Sequence, residues 1–442
     1  MTDADLIARY DGRVPRYTSY PTVPHFRPDT GAEIYAQWLA ELPVVEPVSL
    51  YIHVPFCDRL CLYCGCTTSV VRQERPKRAY AQLLARELEL VAGHLGRRAI
   101  VTQVHWGGGT PTALPADCLN SLMEHIRALF YVPPGAEIAV EIDPTALTQQ
   151  SLDALAAMGL TRASLGVQDF DPGVQAAIGR HQSFAETQAC AAALRGLGIT
   201  SLNLDLIYGL PRQTAESVAR TARQALALKA DRIAVFGYAH VPWMKRHQGL
   251  IPEETLPGSV ERFAQAQVMR AVLVEGGYTQ VGLDHFALPG DAMAVAARER
   301  QLQRGFQGYS ADATGVLIGV GASAIGTLPQ GYMQNEATVP AYASAIGQGR
   351  LATARGVALT PDDRLRRETI ARVMCDLAAD VPAALREDAA KLQEFAADGL
   401  VDWDGTRILV TERGRPFLRN IAAVFDAYLR HTCDTPRHAQ AV

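Results

Sequence analysis

Four of the eight cysteines fall within ten residues, Cys57, Cys61, Cys64 and Cys66, in the run H-V-P-F-C-D-R-L-C-L-Y-C-G-C. The first three form C-x3-C-x2-C, a spacing that puts three thiolates around one small volume. An iron–sulfur cluster of four irons held by only three cysteines keeps one iron open, and an open iron can chelate a small molecule. Structural zinc sites usually draw on two separated ligand pairs. Here His53 precedes the group and no second C-x2-C or H-x3-H follows. A cluster is therefore the favoured reading and zinc the alternative. Cys66 could be a fourth ligand, a redox or substrate-side thiol, or packing; the reading favours a non-ligand near the site.

Gly107-Gly108-Gly109-Thr110-Pro111-Thr112 closes a β-branched run but lacks the lysine of a phosphate-binding P-loop. Glycines there let a backbone edge approach a ligand closely. Glu141, Gln168, Arg180 and Asp205 fall at or just past the ends of other short apolar runs, where they could hydrogen-bond ribose hydroxyls or pair with a carboxylate. Each alone reads as a surface or salt-bridged residue; their shared position is what suggests function. His105 and His125 read as structural or solvated, with no assigned role.

These residues need elements to position them. From about residue 48 the chain alternates short β-branched runs with longer amphipathic ones. Strands are expected at Val48 to Val54, Ile100 to Trp106, Ile138 to Ile142, Ala163 to Val167, Leu202 to Ile207 and Ile233 to Phe236. Six β-then-α units argue for a parallel sheet with helical crossovers. Chemistry in parallel barrels sits at the carboxyl ends of the strands. The expected fold is α/β, a partial (β/α)6 barrel; an open doubly wound sheet is the rival. Gly277 to Ala287 and Val316 to Ile325 read as further strands or loops. Leu365 to Leu377 and Ala383 to Ala397 read as helices, Gly399 to Val410 as a hairpin and Asn420 to Leu429 as a last helix. The expected organisation is an N-terminal arm over residues 1–45, a catalytic partial barrel over 46–350 and a mainly helical domain over 355–442.

The chain has 442 residues, 48% hydrophobic and 20% charged, with a formal net charge of -4. That balance allows a large core and gives no basic field for nucleic acid. No apolar run approaches the roughly 20 residues that cross a bilayer, and the N-terminus lacks a signal-peptide core. Cys118, Cys190, Cys375 and Cys433 are scattered, as buried or exposed thiols of a reduced, cytoplasmic protein would be.

With Tyr63 before the last cysteine, the triplet resembles the radical S-adenosylmethionine (SAM) superfamily. R-Y-T-S-Y-P-T, L-Y-I-H-V-P-F-C, H-W-G-G-G-T-P-T, E-I-D-P, G-V-Q-D-F, D-L-I-Y-G-L-P and D-H-F-A resemble the oxygen-independent coproporphyrinogen III oxidase family. The resemblance implies oxidative decarboxylation of two propionates of coproporphyrinogen III to vinyl groups, giving protoporphyrinogen IX. It implies a [4Fe-4S] cluster on Cys57, Cys61 and Cys64, with a radical drawn from SAM. Tyr51, Gly108, Glu141 and Ile325 match contacts to the cluster-bound SAM. Tyr63, Gly109, Thr110, Gln168, Arg180, Asp205 and Ala239 match contacts to a second SAM. An electron donor such as flavodoxin or ferredoxin is implied; a monomer is the default. The substrate carries four carboxylates, so arginines must oppose the acidic net charge, and Arg16 and Arg180 are the candidates. A haem chaperone of the same superfamily is the alternative. The R-Y-T-S-Y-P-T arm and Cys66 argue against it.

Overall fold

A computed structural model of the chain describes residues 1–431 and residue 440. Six parallel strands follow one another in space as in sequence: β1 (Val48–Val54), β2 (Val101–Gly108), β3 (Glu137–Ile142), β4 (Arg162–Gln168), β5 (Ser201–Tyr208) and β6 (Arg232–Gly237). All five pairings between them are parallel. This sequential order is that of a barrel arc and removes the doubly wound rival, whose strand order must reverse.

The uncertain segments extend the sheet. Residues 277–287 form β7 (Thr279–Val281) and β8 (His285–Ala287), antiparallel beside β6. Residues 316–325 supply β9 (Leu317–Val320), which pairs in parallel with β1, and the start of β10 (Ile325–Leu328). With β11 (Gly331–Asn335) and β12 (Thr353–Ala358) the sheet reaches 12 strands and stays open, its edges being β12 and β7.

The arc's two faces follow from strand period two. Leu50, Ile52, Val104, Trp106, Leu165, Leu204 and Ile233 are fully buried against the crossover helices. The alternate residues, among them Tyr51, His105, Glu141, Ser164 and Asp205, form a polar inner face. Register brings them level: Tyr51 opposes His105, Glu141 opposes Ser164 and Gly166 opposes Asp205. The helix Glu74–Leu95 returns the chain from β1 to β2 and stops at Gly96, which takes the left-handed conformation at φ 61°.

A second core lies in the C-terminal part. Residues 365–376 fall within the helix Pro361–Asp376, with Leu377 as its left-handed cap, and this helix packs with strands Ala378–Asp380, Val401–Trp403 and Arg407–Val410. Residues 383–397 break into three short helices, and 420–429 hold the end of the helix Leu418–Ala423. Leu6, Ile7, Tyr10, Tyr17 and Tyr20 of the arm join this core, while Tyr35, Trp38 and Leu39 join the barrel's. Arg419 donates to the Pro15 carbonyl at 3.0 Å and Tyr17 to Asp426 at 3.0 Å, stitching arm to module. Cys433 lies outside the described residues. Cys190 and Cys375 are buried and Cys118 is half-buried. No described helix is long and apolar enough to cross a membrane.

Candidate active site

The loop after β1 carries the cysteines into a cavity of about 660 Å³ at the carboxyl ends of the strands. Cys57, Cys61, Cys64 and Cys66 all line it. Gly108, Gly109 and Thr110 arrive from the end of β2, Glu141 from β3, Gln168 from β4 and Asp205 from β5. Tyr63, Arg180, Ala239 and Arg16 complete the predicted set on its wall. Tyr51 and Ile325 are not on that wall. Tyr51 stands behind, its hydroxyl 3.1 Å from His53 Nδ1. Ile325 packs across Gly319, the residue that Tyr51 opposes on β9.

Glycine is required where β2 meets the cysteine loop. Gly108 sits at φ 112°, and a side chain there would meet the His53 ring. A Cβ at Gly109 would come within 2.6 Å of the Phe56 carbonyl oxygen and 3.0 Å of Cys57 Sγ. The Gly109 and Thr110 N–H groups donate to Val54 and Phe56, locking the two strand ends together. Thr110 Oγ1 lies 3.8 Å from Cys57 Sγ.

Glu141 takes two hydrogen bonds, from Gly108 N–H at 3.1 Å and from His105 Nε2 at 3.2 Å. Arg162 donates to His105 Nδ1 at 3.4 Å, which leaves the ring proton on Nε2 for Glu141. Burial works against the Glu141 charge, but the hydrogen bonds from His105 and then from Gly108 N–H hold its carboxyl below the usual range. Asp205 shows the opposite balance. Burial and the nearby Glu141 charge raise it, against hydrogen bonds from Asn203 and Ser164. His105, given no role from sequence, thus orients a cavity carboxylate; its place in H-W-G-G-G gave no sign of that.

Arg180 is buried and tied on three sides. Nη2 donates to the Gly166 carbonyl at 2.7 Å and pairs with Asp143 at 3.2 Å, while Nη1 lies 3.8 Å from Cys61 Sγ. Gln168 stands at φ 65°, a strained setting for a non-glycine residue, and its Oε1 is buried without a hydrogen-bond partner among the described residues. An orphaned acceptor, three thiols and a glycine-lined strand end on one cavity fit a cluster and a polar ligand chelated to it.

Sequence reasoning missed a clamp. Lys245, His247 and Gln248, at the start of the short 3-10 helix Arg246–Leu250 in the connection after β6, reach the carbonyl oxygens of Cys66, Cys64 and Tyr63 at 2.9, 2.8 and 2.9 Å. The loop has no strand or helix period, so only its place at the same end of the arc could have pointed to it.

Comparison with known proteins finds relatives along nearly the whole chain. Residues 51–225 match the Radical SAM superfamily model and residues 359–417 the HemN C-terminal domain model. An oxygen-independent coproporphyrinogen III oxidase of Bradyrhizobium diazoefficiens is 51% identical over 96% of this chain and 97% of its own length. One from Escherichia coli is 40% identical over 97% of this chain and 96% of its own length. The solved structure described as coproporphyrinogen III oxidase (HemN) from Escherichia coli superposes with a TM-score of 0.89 at 39% identity, over 94% of this chain and 100% of that one.

Proposed function

The chain belongs to the oxygen-independent coproporphyrinogen III oxidase family within the radical SAM superfamily, and we propose that it converts two propionates of coproporphyrinogen III to vinyl groups, giving protoporphyrinogen IX. The observation that carries this reading is the meeting of the three cysteines with the ends of β2, β3 and β4 on one cavity, in a fold shared along nearly its whole length with that family. A [4Fe-4S] cluster with SAM at its open iron supplies, when bound, a 5′-deoxyadenosyl radical that takes a hydrogen atom from a propionate β-carbon. Each vinyl group formed releases one carbon dioxide and passes one electron to an acceptor.

The chain's own residues hold and orient. Cys57, Cys61 and Cys64 hold the irons. Arg180 sets a positive charge beside the Cys61 sulfur. The backbone of Gly108 approaches the amino-acid part of SAM, with Glu141 kept ionised beside it and Tyr51 and Ile325 supporting the strands behind. Gly109, Thr110, Tyr63, Gln168, Arg180, Asp205 and Ala239 serve a second SAM, for which the Gln168 Oε1 acceptor stands open. Cys66 is a non-ligand thiol facing the substrate space, and Arg16 takes a substrate carboxylate. Residues 46–350 act as the catalytic unit, between the arm (1–45) and the C-terminal module (355–442). A flavodoxin or ferredoxin supplies electrons to a cytoplasmic monomer.

The test is anaerobic protein with SAM, a reductant and coproporphyrinogen III. Protoporphyrinogen IX and 5′-deoxyadenosine support the reading. Haem retained without any vinyl product would favour the haem-chaperone alternative and overturn it.

A further inference from the structure

Asp143 directly follows β3 and lines the cysteine cavity. Pro144 comes next, and Thr145 folds back on the carboxylate: its N–H and its Oγ1 both donate to Asp143 Oδ1, at 3.1 and 2.9 Å. Two arginines meet the same carboxylate. Arg180 is set beyond the helix Pro172–Ile178 by Gly179 at φ 66°. It pairs with Oδ1 through Nη2 at 3.2 Å and with Oδ2 through Nη1 at 3.4 Å. The same Nη1 donates to Cys61 Sγ at 3.8 Å. Arg59, two residues before Cys61, pairs with Oδ2 at 3.4 Å.

Neither arginine pairs with another carboxylate among the described residues. Their remaining bonds go to neutral oxygens, those of Gly166 and Gln182 for Arg180 and those of Thr145 and His181 for Arg59. Two positive charges thus share one negative charge beside a cysteine read as an iron ligand. The Arg180 and Asp143 side chains are only 8% and 13% exposed, so water screens their charges little. Gly166 and Gln182 anchor the Arg180 guanidinium independently of the charge on residue 143.

A positive N–H donor at a ligand sulfur stabilises the reduced, more negative form of an iron–sulfur cluster and raises its reduction potential. A raised potential makes the reduced cluster a weaker electron donor, whereas one-electron cleavage of SAM demands a strong one. Arg180 beside Cys61 therefore works against that chemistry unless its charge is offset. We propose that Asp143 is the offset, a counter-charge that keeps the cluster potential low by cancelling one of the two guanidinium charges at the Cys61 end. The inference rests on the cluster assigned above to Cys57, Cys61 and Cys64. Asp143 acts through Arg180 and Arg59 and is a tuning and positioning residue; the role requires no contact with SAM or with the porphyrinogen.

The experiment is a reductive titration of the anaerobically reconstituted full chain, without SAM, followed by the electron paramagnetic resonance signal of the reduced cluster. Parent, Asp143→Asn, Asp143→Glu and Arg180→Gln proteins are compared, with iron and sulfide per chain measured on each. Asp143→Asn keeps the shape and loses the charge. Its potential should become more positive, raising the ratio of reduced to oxidised cluster at a fixed applied potential about tenfold, or about 59 mV for one electron. Asp143→Glu should stay near the parent, and Arg180→Gln should shift the opposite way. Iron should stay at the parent level in both Asp143 variants. The counter-charge is overturned by an Asp143→Asn potential at or below the parent's, by an equal shift in Asp143→Glu, or by Arg180→Gln moving in the same direction as Asp143→Asn. Loss of iron in Asp143→Asn also overturns it, because Asp143 would then be a scaffold of the cysteine loop. Parent protein that takes up no four-iron cluster overturns the cluster assignment itself.

Discussion

His247 Nε2 lies 2.8 Å from the carbonyl oxygen of Cys64. The loop after the sixth strand therefore holds the loop after the first, although about 180 residues separate them in the chain. Gln248 and Lys245 grip the neighbouring carbonyls of Tyr63 and Cys66. All three bonds go to backbone oxygens and leave the thiols facing the cavity. The cysteine run supplies the ligands, and a distant polar segment fixes their shape.

Gln248 is the most buried member of this clamp, and its Oε1 also accepts from Val241 N–H at 2.6 Å. Gln248→Ala strips partners from two backbone groups at once, at a cost of about 1–3 kcal/mol each. Iron per chain after anaerobic gel filtration should fall, together with the denaturation midpoint. Parental values of both would show that the clamp is idle.

Cys66 is the exposed member of the cysteine run, and Cys61 is buried beside Arg180. Cys66→Ala should keep its iron while turnover falls. Cys61→Ala should lose both cluster and product. Iron analysis of the two variants decides: a loss in Cys66→Ala as deep as in Cys61→Ala would make Cys66 a ligand.

Gly109→Ala would place a methyl group 2.6 Å from the Phe56 carbonyl oxygen, an approach that backbone cannot absorb without moving. The cysteine loop should shift and iron loading drop severalfold, while the far-UV circular dichroism of the barrel persists. Full loading would mean that the β2–loop contact has slack.

Glu87 lies on the helix Glu74–Leu95, fully buried, and accepts hydrogen bonds from Gly321 N–H at 2.6 Å, Asn335 at 2.6 Å and Tyr342 at 2.7 Å. Burial pushes its carboxyl up from 4.5 to about 7 against those three bonds. The folded state thus binds the proton more tightly than the unfolded chain. Its stabilisation is fully present below about pH 4.5 and is lost as pH rises through about 7. Between pH 5.5 and 7.5 the loss is about 2 kcal/mol. Glu87→Gln should remove this slope, read as the change in its stability difference from the parent across that range. A pH-independent difference would contradict the raised value.

Much of this was legible in the sequence, for physical reasons. Each core strand is a short apolar run, alternating in places with polar residues and bounded by glycine, proline or a polar residue, so six strands and their carboxyl ends could be read from the sequence. The cysteine triplet and Gly107–Thr110 were legible because ligand spacing and close backbone approach leave a compositional mark. His105 was not: its role depends on Glu141 standing on the next strand and Arg162 on the one beyond. Nor was the clamp of Lys245, His247 and Gln248, which exists only where the connection after β6 folds back onto the cysteine loop. The short strands β7, β8 and β9 were ambiguous because three or four residues carry too little period to separate strand from loop.

The central claim is that this cavity removes hydrogen from the β-carbon of a propionate. Coproporphyrinogen III deuterated at those β-carbons, turned over anaerobically with SAM and a reductant, tests it most directly by mass spectrometry of the nucleoside. Deuterium in 5′-deoxyadenosine, accompanied by vinyl product, is the predicted result. Vinyl product with unlabelled 5′-deoxyadenosine would contradict it.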